Sequence, residues 1–228
     1  MCEHIVHSTI SNHLDANGIL TNAQHGFRKR RSCESQLLLT LNDLVKGLND
    51  KSETDMILLD FSKAFDKVPH QRLLLKVSHC GIAGIVFAWI KDFLHGRTQK
   101  VILESQSSSW ATVASGVPQG SVLGPPAVLD LHKRLAGCVT SSTVRLFADD
   151  TVLYHGISSS ADTADLQRDL DALQAWECKW LMEFNPSRCQ LLRVTLKHKP
   201  VEASYTIHGQ TLELVESAKY LVLPLTPN

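Results

Sequence analysis

The chain has no surplus of charge of either sign: 23 lysines and arginines balance 23 aspartates and glutamates. That balance argues mildly against a nucleic-acid binder, which usually carries a basic excess. There is no run of eighteen or more apolar residues, so no membrane-spanning helix is expected. No C-x-x-C pair occurs among the six cysteines, and the eleven histidines lack metal-ligand spacing. A disulfide framework and a zinc site are therefore not expected, and thiols in a reducing compartment are. The opening M-C-E-H-I-V-H-S-T-I has no basic stretch followed by an apolar one, so it does not read as a secretory signal. An intracellular protein, nuclear or cytoplasmic, is the expectation. Internal repeats and low-complexity segments are also missing.

What is present is the pattern of an ordinary globular protein. With 228 residues, 43% of them hydrophobic, the chain holds one large domain or two small ones. Leucines at helical spacing predict a helix over 34–48. The run M-I-L-L-D, 56–60, predicts a buried strand that delivers an aspartate at its tip. Helices are predicted after Pro69, as far as Gly81, and over 84–95, the latter burying Phe87, Trp89, Ile90 and Phe93. A longer helix is expected over 162–184, broken by Asn185-Pro186-Ser187. Strands are expected at T-Q-K-V-I-L-E, C-Q-L-L-R-V-T and A-K-Y-L-V-L, with a hairpin at Y-T-I-H-G-Q-T-L-E-L. Strands and helices mix irregularly, which points to an α+β fold rather than a βαβ array.

The stretch L-F-A-D-D-T-V-L-Y, 146–154, sets two acids inside an apolar run. It reads as two short strands joined by a tight turn; a plain surface hairpin or a helix cap would look the same. Asp60 also ends a short apolar strand. If the strands are neighbours, the carboxylates converge, and clustered carboxylates repel one another unless a cation sits between them. Oxygen donors of this kind select Mg2+ or Mn2+. Two such ions serve phosphoryl transfer. The run Arg28-Lys29-Arg30-Arg31 is the main local basic excess and reads equally as a phosphate contact or a solvated loop.

L-L-D-F-S-K-A-F-D-K-V-P-H (58–70), S-G-V-P-Q-G-S-V-L-G-P (115–125) and F-A-D-D (147–150) occur in that order. They resemble the A, B and C motifs of a reverse transcriptase of the non-LTR, LINE-like retrotransposon type. Q-H-G-F-R (24–28) resembles the family's fingers segment, and N-P-S-R-C (185–189) and K-Y-L (219–221) its D and E motifs. The resemblance implies an RNA-directed DNA polymerase that joins a dNTP to a primer 3′-hydroxyl on an RNA template. It implies a right-hand palm, a small antiparallel sheet backed by helices. Residues 1–55 would be partial fingers and 56–228 the palm with interleaved fingers segments.

By the same resemblance Asp60, Asp149 and Asp150 are the catalytic carboxylates and the ligands of two Mg2+ ions. Phe65 stacks beneath the incoming sugar, with an ordinary core aromatic as its alternative. Pro118, Gln119 and Gly120 form the turn beside the nascent base pair, and Arg28 lines the path of template or triphosphate. Arg188 stands where the family commonly has a lysine, and a guanidinium is a poor proton donor.

Four departures from the family pattern set further expectations. The chain begins after the usual upstream arm and ends just past K-Y-L, so a thumb and an endonuclease domain are not expected. Val222 replaces a usual glycine. Residues 126–137, P-A-V-L-D-L-H-K-R-L-A-G, depart from the usual apolar run. A coding of this segment beginning CCT GCT GTT CTT spells L-L-F-L-I-Y-I-N-D-L-P when read one base later, and the nucleotide sequence tests that inferred frame change. Charges at Asp130, His132, Lys133 and Arg134 on a core-facing helix predict weak folding and doubtful turnover. The alternative to an enzyme is a non-catalytic nucleic-acid-binding remnant, or a pseudogene product that retains the fold.

Overall fold

The computed structural model describes residues 2–63, 65–118, 121 and 135–226. Two compact units are formed, one from Met1–Leu20 with Lys63–Leu131, the other from Thr21–Ser62 with His132–Asn228.

The second unit carries the sheet. Its centre is β1, Glu53–Leu59, buried along nearly its whole length. Burial on both faces is why its second half, Met56–Leu59, is an unbroken apolar run rather than an alternating one. β1 pairs antiparallel with β7, Asp150–Ile157, on one side and with β8, Gln190–Val194, on the other. β6, Thr143–Phe147, and β11, Glu213–Val215, complete the order β11-β8-β1-β7-β6. The expected antiparallel sheet is thus present, with one parallel edge pair, β8 with β11.

Two helices cover the sheet. α2, Cys33–Asn49, begins at a capping box in which Ser32 and Ser35 exchange bonds with each other's backbone. Its Leu37 and Leu44 pack with Met56, Val152, Tyr154, Leu192 and Val194. Strand alternation sends Ile57, Leu59 and Leu153 to the opposite face. α5, Ser160–Trp180, packs against β7 and buries Leu166, Leu170, Leu173, Trp176 and Trp180. This helix stops at Leu181, in a left-handed conformation (φ 57°), before the Asn185-Pro186 breaker rather than at it.

At the start of β1 the buried Glu53 and Asp55 share Arg193 of β8, at 3.2 and 2.8 Å. The Tyr205 hydroxyl also donates to Asp55, at 2.8 Å. Near the end of the chain, A-K-Y-L-V-L forms a hairpin instead of one strand. β12, Ala218–Tyr220, pairs with β13, Leu223–Leu225, around a turn with Leu221 at φ 55°.

The other unit holds α1, Cys2–Ala16, which the sequence pattern did not announce, with α3, His70–His79, and α4, Gly84–Leu94. His13 of α1 bonds the Cys80 carbonyl just past α3 at 2.7 Å. In α4 only Ile90 and Leu94 are buried. Phe87, Trp89 and Phe93 are half-buried, because the last two stack on each other along the helix surface, 5.3 Å between centroids, and Arg97 caps Phe93. The expected strand T-Q-K-V-I-L-E is broken into two nested pairs: Thr98–Gln99 with Ala111–Thr112, and Ile102–Leu103 with Gln106–Ser107.

Most of the divergent segment 126–137 lies outside the described residues, apart from Leu135, which is fully buried, Ala136 and Gly137. Among the described residues no helix is long and apolar enough to cross a membrane. Among the described residues, Cys33, Cys178 and Cys189 are free thiols.

Candidate active site

The predicted tight turn at the acids is present. β6 and β7 are joined by two residues, Ala148 and Asp149, with Phe147 opposite Asp150. Ala148 has φ 54° and Asp149 does not share that sign, the pattern of a two-residue hairpin turn whose first position favours glycine. Leu59 pairs with Thr151, so extending the register by one residue sets Asp60 opposite Asp150. Directly opposed residues have Cβ atoms about 5 Å apart.

The three carboxylates act on one another. Burial pushes the Asp149 carboxyl above the usual range, and the charge of Asp60 adds to it. Asp150 keeps solvent access, yet the protein crowded around its carboxyl, then the charges of Asp149 and Asp60, push it up to about 6. Asp60 Oδ2 is sealed from water and accepts no hydrogen bond among the described residues. The backbone beside it is fixed, since Asn185 N–H donates to the Asp60 carbonyl at 2.7 Å and Ser62 N–H to Glu183 at 2.8 Å.

Two cations border this group. Arg188 Nη1 stands 3.6 Å from Asp60 Oδ2, in a pair exposed enough to be worth little. Lys219 lines the same cavity of about 180 Å³ as Asp60, Asp150, Arg188 and Tyr220. Buried Cys189 adjoins them, its thiol pushed up to about 11 by burial.

Could these acids hold a divalent ion? Among the described residues no three His, Cys, Asp or Glu side chains close into a ready coordination shell. Mg2+ does not demand one, because it binds through one or two carboxylates, water and substrate phosphates. An unsatisfied Asp60 Oδ2 and two carboxyls raised by burial and then by neighbouring negative charge are what such a cation relieves, so the donor set fits.

The remaining predicted residues lie elsewhere in the chain. Arg28, in the sheet-bearing unit, spends one N–H on the Thr21 carbonyl at 2.8 Å, and Arg31 holds Asn22 at 3.0 Å, so this basic run also ties its own loop. Burial, then Arg31, pushes His25 down to about 4; as a neutral ring it accepts from Arg31 and donates to Ser35. Phe65 and Pro118 belong to the other unit, both half-buried. There the segment after Asp60 meets the S-G-V-P segment. Gly116 and Val117 N–H donate to the Val68 and Phe65 carbonyls at 2.8 Å each, and His70 bonds the Gly116 carbonyl at 2.7 Å. Only glycine serves at 116: φ is 86°, and a Cβ would sit 2.6 Å from the Asp66 carbonyl oxygen. Gln119 and Gly120 lie outside the described residues.

Residues 2–222 match the family described as reverse transcriptase (RNA-dependent DNA polymerase). The chain belongs to that family.

Its curated relatives among reverse transcriptases include the RNA-directed DNA polymerase from mobile element jockey of Drosophila melanogaster, 31% identical over 89% of this chain and 23% of that protein. The probable RNA-directed DNA polymerase from transposon BS of the same fly is 28% identical over 98% of this chain and 26% of its own length. The chain therefore spans about a quarter of these relatives, and the LINE-like placement read from the motifs stands. A solved structure, apo telomerase from Candida tropicalis truncated from its C-terminal domain, superposes with TM-score 0.59 at 14% identity, covering 92% of this chain and 43% of that one. At that identity it supports the α+β reverse-transcriptase fold alone.

Sequence reasoning missed Gln24, Lys219 and Tyr220 as neighbours of the acids. Gln24 is in contact with the acidic turn across 124 positions of chain, a separation that no local pattern reports.

Proposed function

We propose that this chain is the nucleotidyl-transfer core of an RNA-directed DNA polymerase, extending a primer 3′-hydroxyl with dNTPs on an RNA template. The reading rests on the strand register, in which Asp60 follows β1 opposite Asp150 and Asp149 sits in the adjoining β6–β7 turn. These three would hold two divalent ions, Mg2+ or Mn2+, whose chemistry is to activate the hydroxyl and neutralise charge on the triphosphate. The sheet-bearing unit is the proposed palm.

The chain's own groups do the rest. β1 and the β6–β7 hairpin present the acids from rigid elements, which lowers the cost of orienting them. By motif correspondence alone, Phe65 is assigned to selection of the incoming sugar, and Pro118, Gln119 and Gly120 to the nascent base pair. Arg28 contacts phosphate without reading sequence. A guanidinium is a poor proton donor, so Arg188 serves as an electrostatic partner of Asp60 or of phosphate.

Mg2+-dependent extension of an RNA-templated DNA primer by the 228-residue chain tests this. Extension that drops to background in Asp149→Ala is expected. Extension that persists in that variant overturns the assignment of the acids. Primer–template binding with no extension under any condition points instead to a non-catalytic nucleic-acid-binding remnant.

A further inference from the structure

The acidic turn is held by a residue outside the acidic constellation. Gln24 is 1% exposed, and its amide faces the peptide groups of Ala148. Its Nε2 donates to the Ala148 carbonyl at 3.1 Å, and its Oε1 accepts from the Ala148 N–H at 3.0 Å. The same oxygen accepts from Gly26 N–H at 2.7 Å, which fixes the rotamer. Backbone bonds lock the segment alongside β6: His25 N–H donates to Leu146, and Leu146 N–H to Ala23, at 2.9 Å each.

Two forces act to open this turn. Ala148 is held at φ 54°, a region that costs an alanine. Asp149, the next residue, is pushed by the like charges of Asp60 and Asp150. An amide is the uncharged side chain that offers a donor and an acceptor in one fork, so it can hold both main-chain groups of one residue without adding charge.

We infer that Gln24 is a positioning residue: it sets the backbone of Ala148 and so aims the Asp149 carboxylate at the ion site. The inference rests on the reading of Asp149 as a metal ligand. It assigns no contact between Gln24 and the ion or substrate. Groups that orient metal ligands from behind commonly change metal affinity 10–100-fold when removed, so about a tenfold loss is expected here.

The test is Mn2+ affinity of the full chain, followed by electron paramagnetic resonance well below the unfolding temperature. Gln24→Met should weaken binding about tenfold. Asp169→Asn is the stability control. Asp169 accepts from Thr140, Ser141 and Ser142 backbone N–H groups, just before β6 and at the opposite end of that strand from Ala148. It should lower the melting temperature while leaving Mn2+ affinity within about twofold of the parent, far short of the loss assigned to Gln24. Should Gln24→Met give no folded protein, Gln24→Asn, one methylene short, is read the same way. Unchanged Mn2+ affinity in the Gln24 variant, or an equal loss in Asp169→Asn, overturns the inference. Asp149→Asn separates the two levels: if it too leaves Mn2+ affinity unchanged, the ligand reading itself has failed, whereas a loss there with none at Gln24 sinks only the positioning role.

Discussion

Three glycine-to-alanine changes separate steric contact from backbone strain and test how closely residues 24–26 abut the acidic turn. Gly18 has φ 58° with nothing within 4 Å of a built Cβ, so Gly18→Ala costs strain alone. That is about 1–2 kcal/mol, offset by about 0.4–1 kcal/mol from the stiffer unfolded chain. Gly26 is the converse: its φ is ordinary, but a Cβ would lie 2.1 Å from Ala148 N and 2.9 Å from its Cα. Those are backbone atoms that cannot swing aside, so Gly26→Ala should cost about 3 kcal/mol, the upper end for overpacking. Gly116→Ala combines both terms, with φ 86° and the Asp66 backbone at 2.6 Å, and should cost at least as much. Urea unfolding followed by tryptophan fluorescence reads each, with Trp176 and Trp180 reporting the unit of Gly26, and Trp89 and Trp110 that of Gly18 and Gly116. A Gly26→Ala protein within about 1 kcal/mol of Gly18→Ala, a gap too small for a backbone clash, would refute the close approach.

The other predictions concern charge. Asp150 binds its proton more tightly folded than unfolded, with the folded value up at about 6 against 3.8. Its ionisation therefore opposes folding above about pH 6, and that opposition fades as pH falls toward 4. In EDTA, the urea midpoint of Asp150→Asn should lose this part of its pH dependence between 7 and 5, and an unchanged slope would contradict the assignment. Arg193→Met removes the guanidinium shared by the fully buried Glu53 and Asp55, leaving Asp55 the Tyr205 hydroxyl and Glu53 the more distant Lys197 at 3.9 Å; it should cost about 3–5 kcal/mol in the same unfolding assay, a loss under 1 kcal/mol counting against it.

The central strand and the acidic hairpin were legible because each is a local pattern: an unbroken apolar run means burial on both faces, and two acids between apolar runs mean a turn. α2 was equally plain from its leucine spacing. The stripe of α4 misled, since apolar spacing marks a face but not how deep that face sits. Phe87, Trp89 and Phe93 stop half-way, the last two stacked on each other with Arg97 over Phe93. Motif resemblance set Gln24 in a fingers segment and Arg188 in the D motif, but their contacts could not be read from their neighbours in sequence. Their partners lie across the sheet, 124 residues on for Gln24 and at the tip of β1 for Arg188. Motif order, by contrast, carried the family, because spacing along the chain survives where pairwise contacts cannot be seen.

The order of strands in the sheet has a consequence for biogenesis. β1 ends at Leu59, but its two antiparallel neighbours begin at Asp150 and Gln190. A nascent polypeptide must therefore carry the apolar run Met56–Leu59 past the ribosome exit with no hydrogen-bonding mate until about ninety further residues have been added. Such non-local pairing slows folding, and an unmated strand is a template for intermolecular association. Yield of soluble protein will depend on how quickly the last third of the chain is delivered, before the question of turnover arises.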